Sequence, residues 1–221
     1  MFRVIDVARL HVVTDDEVLT RADFLDVAEA VLDSGGEALA LHVRGPATDG
    51  RTVHELVHAL IALRPPHARV FVNDRVDVAL AAGADGTHLG GRSLSVSETR
   101  ALVGPVISIG ISVHDSPGVA AASRDGAEYA FVGTLFETPT HGGREGQGSA
   151  VVTEVVGRAD GLPLVGIGGI TPGRVSEVIR AGGYGVAAIR GVWNAGDPAR
   201  AVGEYLSALE RASPGGAEIA E

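Results

Sequence analysis

A chain of 221 residues with 45% hydrophobic content can bury one sizeable core, and its net charge of −10, with scattered basic residues, offers no stripe for nucleic acid or an anionic membrane. The absence of cysteine excludes disulfides, thiolate nucleophiles and cysteine-based metal sites. All 18 basic residues are arginine, which cannot readily lose its proton, so lysine-dependent Schiff-base chemistry is excluded too.

No stretch approaches the roughly 18–20 apolar residues that span a membrane. Met1-Phe2-Arg3-Val4-Ile5-Asp6 lacks a charged-then-apolar signal segment, so a cytoplasmic location is expected. Arg9-Leu10-His11-Val12-Val13-Thr14 reads as a first strand over 9–14, and an amphipathic helix follows near 22–34. Further strands are predicted at 38–43, 69–72, 84–88, 106–111, 128–133, 163–167 and 184–189. Helical patterns lie between and after them, near 52–63, 75–82, 95–103, 115–125, 148–158, 172–181 and 198–211. Several of the strands are nearly continuous in Ala, Val, Leu and Ile, as suits strands buried on both faces. Eight alternating units predict an α/β fold, a single (β/α)8 TIM barrel over residues 1–212 with a flexible tail at 213–221. A doubly wound open sheet would place its Gly-rich turn after the first strand, whereas here such turns come late.

The helix near 52–63 carries His54-Glu55-Leu56-Val57-His58, which fits the metalloprotease pattern H-E-x-x-H. Its place on an outer helix, away from the strand ends and without a third ligand, makes it a surface pair rather than a zinc centre.

Strand seven runs into Gly166-Ile167-Gly168-Gly169-Ile170 ahead of Thr171-Pro172, and strand eight ends in Ala188-Ile189-Arg190-Gly191. Glycines let backbone N–H groups approach an anion, and a helix start adds a favourable dipole. Adjacent late turns of this kind are the standard barrel phosphate site, so Gly168, Gly169, Ile189 and Arg190 are the expected phosphate-binding residues.

Several ordered segments then carry a family resemblance. They are Leu10-His11-Val12-Val13-Thr14-Asp15, Val72-Asn73-Asp74-Arg75-Val76-Asp77, Gly83-Ala84-Asp85-Gly86-Thr87-His88-Leu89-Gly90, Gly110-Ile111-Ser112-Val113-His114 and Ala127–Thr140, together with the two late turns. Through them the chain resembles the thiamine phosphate synthase/TenI superfamily along most of residues 9–210. The resemblance implies a phosphorylated thiazole as small-molecule partner; charge and the lack of an apolar span point to no nucleic acid and no membrane, and a homo-oligomer is left open.

The synthases of that superfamily join a pyrimidine pyrophosphate to a thiazole phosphate as magnesium-bound pyrophosphate departs, so positive charge must gather around the leaving oxygens. Of the residues the resemblance assigns to that task, Arg44, Asn73 and Asp74 are present. His42 and Pro46 stand where Gln and Lys are usual, Ser93 where a magnesium aspartate is usual, and His141 where a lysine follows Thr138-Pro139-Thr140. Arg92 supplies replacement charge but no metal ligation.

His42-Val43-Arg44 and Phe136-Glu137-Thr138 are instead similar to the TenI branch, whose thiazole tautomerases shift a proton and need no metal. A tautomerase-like enzyme without a cofactor is therefore the first expectation. The alternatives are a synthase with an altered, magnesium-dependent pyrophosphate site, or a non-catalytic phosphate-binding barrel. The tautomerase branch's catalytic histidine is Thr134 here, which has no useful pKa for the task. His42, His141 and Glu137 are then the candidates for proton transfer, with His42 first because imidazole titrates near neutrality. Arg44, Asn73, Asp74, Ser112, Thr138 and Thr140 are the expected substrate-binding set. Asn73 and Asp74 also suit a plain helix-capping role ahead of Arg75.

Overall fold

The computed structural model describes residues 7–137 and 146–213. Eight parallel strands pair in chain order and the last closes on the first: β1 Leu10–Val13, β2 Leu39–Val43, β3 Arg69–Asn73, β4 Gly86–Leu89, β5 Ser108–Val113, β6 Tyr129–Val132, β7 Leu164–Ile167 and β8 Gly185–Ala188. Leu10 pairs with Leu39 on one side and with Val186 on the other, which closes the ring. The single (β/α)8 barrel expected from the sequence is the observed architecture. The proposed tail from residue 214 onward lies outside the described residues.

The connecting helices are α1 Asp16–Leu19, α2 Phe24–Gly35, α3 Gly50–Leu63, α4 Val76–Ala82, α5 Val96–Val103, α6 Ser116–Arg124, α7 Ala150–Val156, α8 Val175–Arg180, α9 Arg190–Trp193 and α10 Pro198–Ala212. Their starts follow from local chemistry. Asp49 accepts from the amides of Arg51 and Thr52, Ser95 and Glu98 form a reciprocal capping box, and Asp197 caps α10 just ahead of Pro198. In α10 the buried residues Ala201, Val202, Tyr205, Ala208 and Leu209 recur at helical spacing, and that stripe packs on α2 and α8. None of the described helices is long and apolar enough to cross a membrane.

Strand alternation divides the interior in two. Leu10, Val12, Leu39, Leu41 and Val43 face the helices and join the main core. Val13, Ala40, Phe71, Tyr129, Phe131, Val165 and Ala187 form a second cluster inside the ring, and the buried side chains of His11, His42 and His88 pack among its aromatic rings. Gly110 makes room for this layer, because a Cβ there would strike the Tyr129 ring. At the opposite end, the Arg64–Asp85 and Arg100–Glu128 pairs pin strand starts: Asp85 also accepts from the Val70 amide and Glu128 from the Ile109 amide. Barrels use that end for stability and the other for chemistry.

Candidate functional site

Each of the eight strands, through its own end or the residue directly after it, contributes to one cavity at the C-terminal ends. Val13, Arg44, Asn73, His88, Ser112, Phe131, Ile167 and Ile189 line it in strand order, and its volume is about 470 Å³. That falls within the range of small-molecule sites, and its position is that of a barrel active site.

One wall is cationic. Among the described residues Arg44, Arg75 and Arg92 line the cavity against a single carboxylate, Asp74. Arg75 shares its charge with Asp77 at 2.7 Å, whereas Arg44 and Arg92 have no ion pair among the described residues. Asp74 adopts a positive φ of 63° and does not cap α4, which starts without a side-chain cap. Its Oδ1 instead accepts from the Gly90 amide at 3.0 Å and from the Ser93 hydroxyl at 2.6 Å, tying the loop after β3 to the loop after β4. The helix-capping alternative for this residue is thereby replaced.

The opposite wall is the pair of late turns. Gly168, at φ 102°, and Ile189 line the cavity. Gly169 follows at φ 60°, also a backbone region that favours glycine. A Cβ at Gly168 would lie 3.0 Å from the Thr134 Cα, so glycine also admits the loop after β6. Among the described residues none accepts a hydrogen bond from the amides of Gly169, Ile189 or Arg190. The turn is held from behind: Tyr205 donates to the Ile170 carbonyl at 2.7 Å, and Arg174 donates to the Gly169 carbonyl at 2.9 Å while lying over the Phe136 ring. Burial pushes the Tyr205 phenol up to about 12, so it stays a donor.

The structure brings Arg44, Asn73, Asp74, Ser112, Gly168 and Ile189 to the cavity. Gly169 and Arg190 stand beside it in the same turns, while Glu137 is exposed and is not among the lining residues. Thr138, Thr140 and His141 lie outside the described residues. His42 is not at the barrel mouth, where its strand-end position had suggested it would be. It is fully buried below the cavity, and desolvation lowers its pKa to about 4, with the Asn73 hydrogen bond opposing the shift. The inward-facing register of β2 puts Ala40 and His42 inside the ring, and the strand runs one residue further before the chain leaves it. Sequence reasoning passed over Arg75, which stands directly after the Asn73-Asp74 pair. His88 and His114, near their strand ends, suited packing and ligand contact equally from sequence, and both line the cavity. His114 Nδ1 donates to the Gly133 carbonyl at 2.7 Å, which in the neutral ring leaves Nε2 as the unprotonated nitrogen.

Residues 10–192 match the family model described as thiamine monophosphate synthase. The chain belongs to that family. It is 39% identical over 210 residues to the thiamine-phosphate synthase of Mycobacterium sp. (strain KMS), covering 91% of this chain and 92% of that protein. It is also 39% identical over 191 residues to the thiamine-phosphate synthase of Roseiflexus castenholzii, covering 86% and 82%. A solved thiamine phosphate pyrophosphorylase from Pyrococcus furiosus superposes with a TM-score of 0.80 at 31% identity, over 92% of this chain and 96% of that one.

These relatives overturn the expectation of a tautomerase-like enzyme. That reading weighed substitutions position by position and counted a lost cradle at Pro46, Ser93 and His141. The cavity instead gathers guanidinium groups from three different loops, and Ser93 remains bonded to the one carboxylate.

Proposed function

We propose that this protein is a thiamine-phosphate synthase, a transferase that joins a pyrimidine pyrophosphate to a thiazole phosphate. The observation that carries the reading is the two-walled cavity: among the described residues, three arginines with one carboxylate on one side, and late turns with unbonded amides on the other. Two phosphorylated substrates meeting head to head need that division. The naming of the family relatives supports the same activity.

In the reaction the bond from the pyrimidine's methylene carbon to the pyrophosphate oxygen breaks, and the thiazole nitrogen takes that oxygen's place. Negative charge grows on the departing pyrophosphate, so fixed cations near it stabilise the transition state more than the ground state. Arg44 and Arg92 supply that charge, and guanidinium forks suit phosphate oxygens. The amides of Gly169, Ile189 and Arg190 hold the thiazole's phosphate at the far wall, helped by the start of α9. Neither wall needs a side chain to change protonation.

Magnesium fits the residues present. It binds hard oxygen ligands and is commonly held by one or two carboxylates together with substrate phosphates. Asp74 supplies one carboxylate at the cavity, with the Ser93 hydroxyl beside it. When bound, magnesium would neutralise charge on the pyrophosphate.

The test is incubation of the purified protein with both substrates and magnesium. Formation of thiamine phosphate is expected, and complete inactivity under saturating conditions would remove the proposal.

A further inference from the structure

Inside the barrel a chain of hydrogen bonds runs from the floor to the cavity and is left unused by the proposed reaction. His11 Nε2 meets the Ala8 carbonyl at 3.0 Å, His11 Nδ1 meets His42 Nε2 at 2.8 Å, and His42 Nδ1 meets the Asn73 side-chain amide, at Oδ1, at 3.1 Å. Asn73 is the cavity-lining member and has no other side-chain hydrogen bond among the described residues.

The proton order along this chain can be deduced from its fixed end. A carbonyl oxygen only accepts, so His11 Nε2 carries hydrogen. A neutral imidazole has one N–H, so His11 Nδ1 accepts and His42 Nε2 donates to it. A neutral His42 then offers Asn73 a lone pair on Nδ1, and Asn73 must answer with a donor, its Nδ2–H. Half a turn of the amide exchanges Nδ2 and Oδ1 with no change of shape. Keeping Oδ1 against the ring would demand one further proton and hence a buried imidazolium.

The surroundings oppose that cation. His42 packs against Phe71, Phe131, Tyr129 and His88, and the charged groups acting on the pair, Arg69 on His11 and Arg44 on neighbouring His88, are themselves cationic. Desolvation lowers the pKa of both His11 and His42, so both rings are neutral near pH 7.

We propose that His11 and His42 are positioning residues that lock the Asn73 amide with Nδ2 toward His42 and Oδ1 toward the cavity, so that Asn73 presents a hydrogen-bond acceptor, not a donor, to the substrate bound there. The identity of that substrate rests on the synthase reading, but the proton order does not. The acceptor stands among arginine donors, so it discriminates for a ligand N–H against a ligand carbonyl at that point.

Two measurements test this. Long-range 15N–1H correlation spectra of the wild-type protein at pH 7 read the tautomers directly. Two neutral rings protonated at Nε2 are expected for His11 and His42, and an imidazolium or an Nδ1–H tautomer at His42 would overturn the proposal. The second compares the aminopyrimidine pyrophosphate with its deamino analogue. Wild type is expected to show KM about tenfold higher for the analogue, and His42→Phe is expected to abolish that preference. Equal loss of kcat on both substrates with the preference retained would mark His42 as merely structural and refute the role. Should His42→Phe fail to fold, the wild-type spectra still decide. Absence of turnover with correct tautomers would count against the synthase reading alone.

Discussion

Replacing His42 by Gln tests how the barrel interior holds uncharged imidazoles. The unfolded ring titrates near its ordinary 6.5, whereas the folded ring stays neutral down to about 4. Between those pH values unfolding takes up a proton, so the stability due to this neutral ring is full above about pH 6.5 and is lost as pH falls toward 4. At about 1.4 kcal/mol per pH unit, the whole contribution is about 3 kcal/mol, of which about 2 kcal/mol is lost between pH 7 and pH 5. His11 and His88 shift the same way, chiefly by desolvation and then by the neighbouring His42 charge, so wild type falls more steeply than one ring requires. Gln fills similar volume and does not titrate. Urea unfolding at pH 7 and pH 5 should show the stability gap between wild type and His42→Gln narrowing by about 2 kcal/mol on acidification. Parallel losses in the two proteins would refute the claim that His42 is held neutral by burial.

Other substitutions probe the two walls. Arg92→Met should lower kcat/KM for the pyrimidine pyrophosphate about a hundredfold, read in steady-state assays, because the leaving charge loses a fixed cation. Ser93→Asp adds a second carboxylate beside Asp74 and should lower the magnesium concentration needed for half-maximal rate, measured by magnesium titration. Tyr205→Phe leaves the Ile170 carbonyl without its buried donor and should cost about 1–3 kcal/mol by denaturant melts, with a raised KM for the thiazole phosphate. Gly168→Ala puts a Cβ on a backbone at φ 102° against Thr134 and should destabilise by about 1–3 kcal/mol while weakening thiazole phosphate binding, measured by calorimetry.

The barrel was legible because its signal is repeated. Each of the eight apolar runs marks a strand to within about two residues, and the longer helices declare themselves through apolar periodicity and through caps such as Asp49 and Asp197. Helices α1 and α9 were missed because four residues make barely one turn, too short for any periodicity to register. The late glycine turns were readable because positive φ and close approach both demand glycine. His42 shows where such reading stops. A strand residue's facing follows from alternation, but its depth follows from how far the strand runs before the chain turns away. The cationic wall was misread for a related reason: Arg44, Arg75 and Arg92 converge only when three loops fold to one place. Matching positions against a family pattern tracks substitutions within each loop and misses compensation between loops.

The central claim is that this cavity couples two phosphorylated substrates with loss of pyrophosphate. Its most direct test quantifies thiamine phosphate and pyrophosphate together, in the presence of magnesium, for wild type and Arg44→Met. The expected result is one pyrophosphate released per thiamine phosphate formed, with both falling in step in the variant. Conversion of the thiazole phosphate alone, without pyrophosphate release, would contradict it.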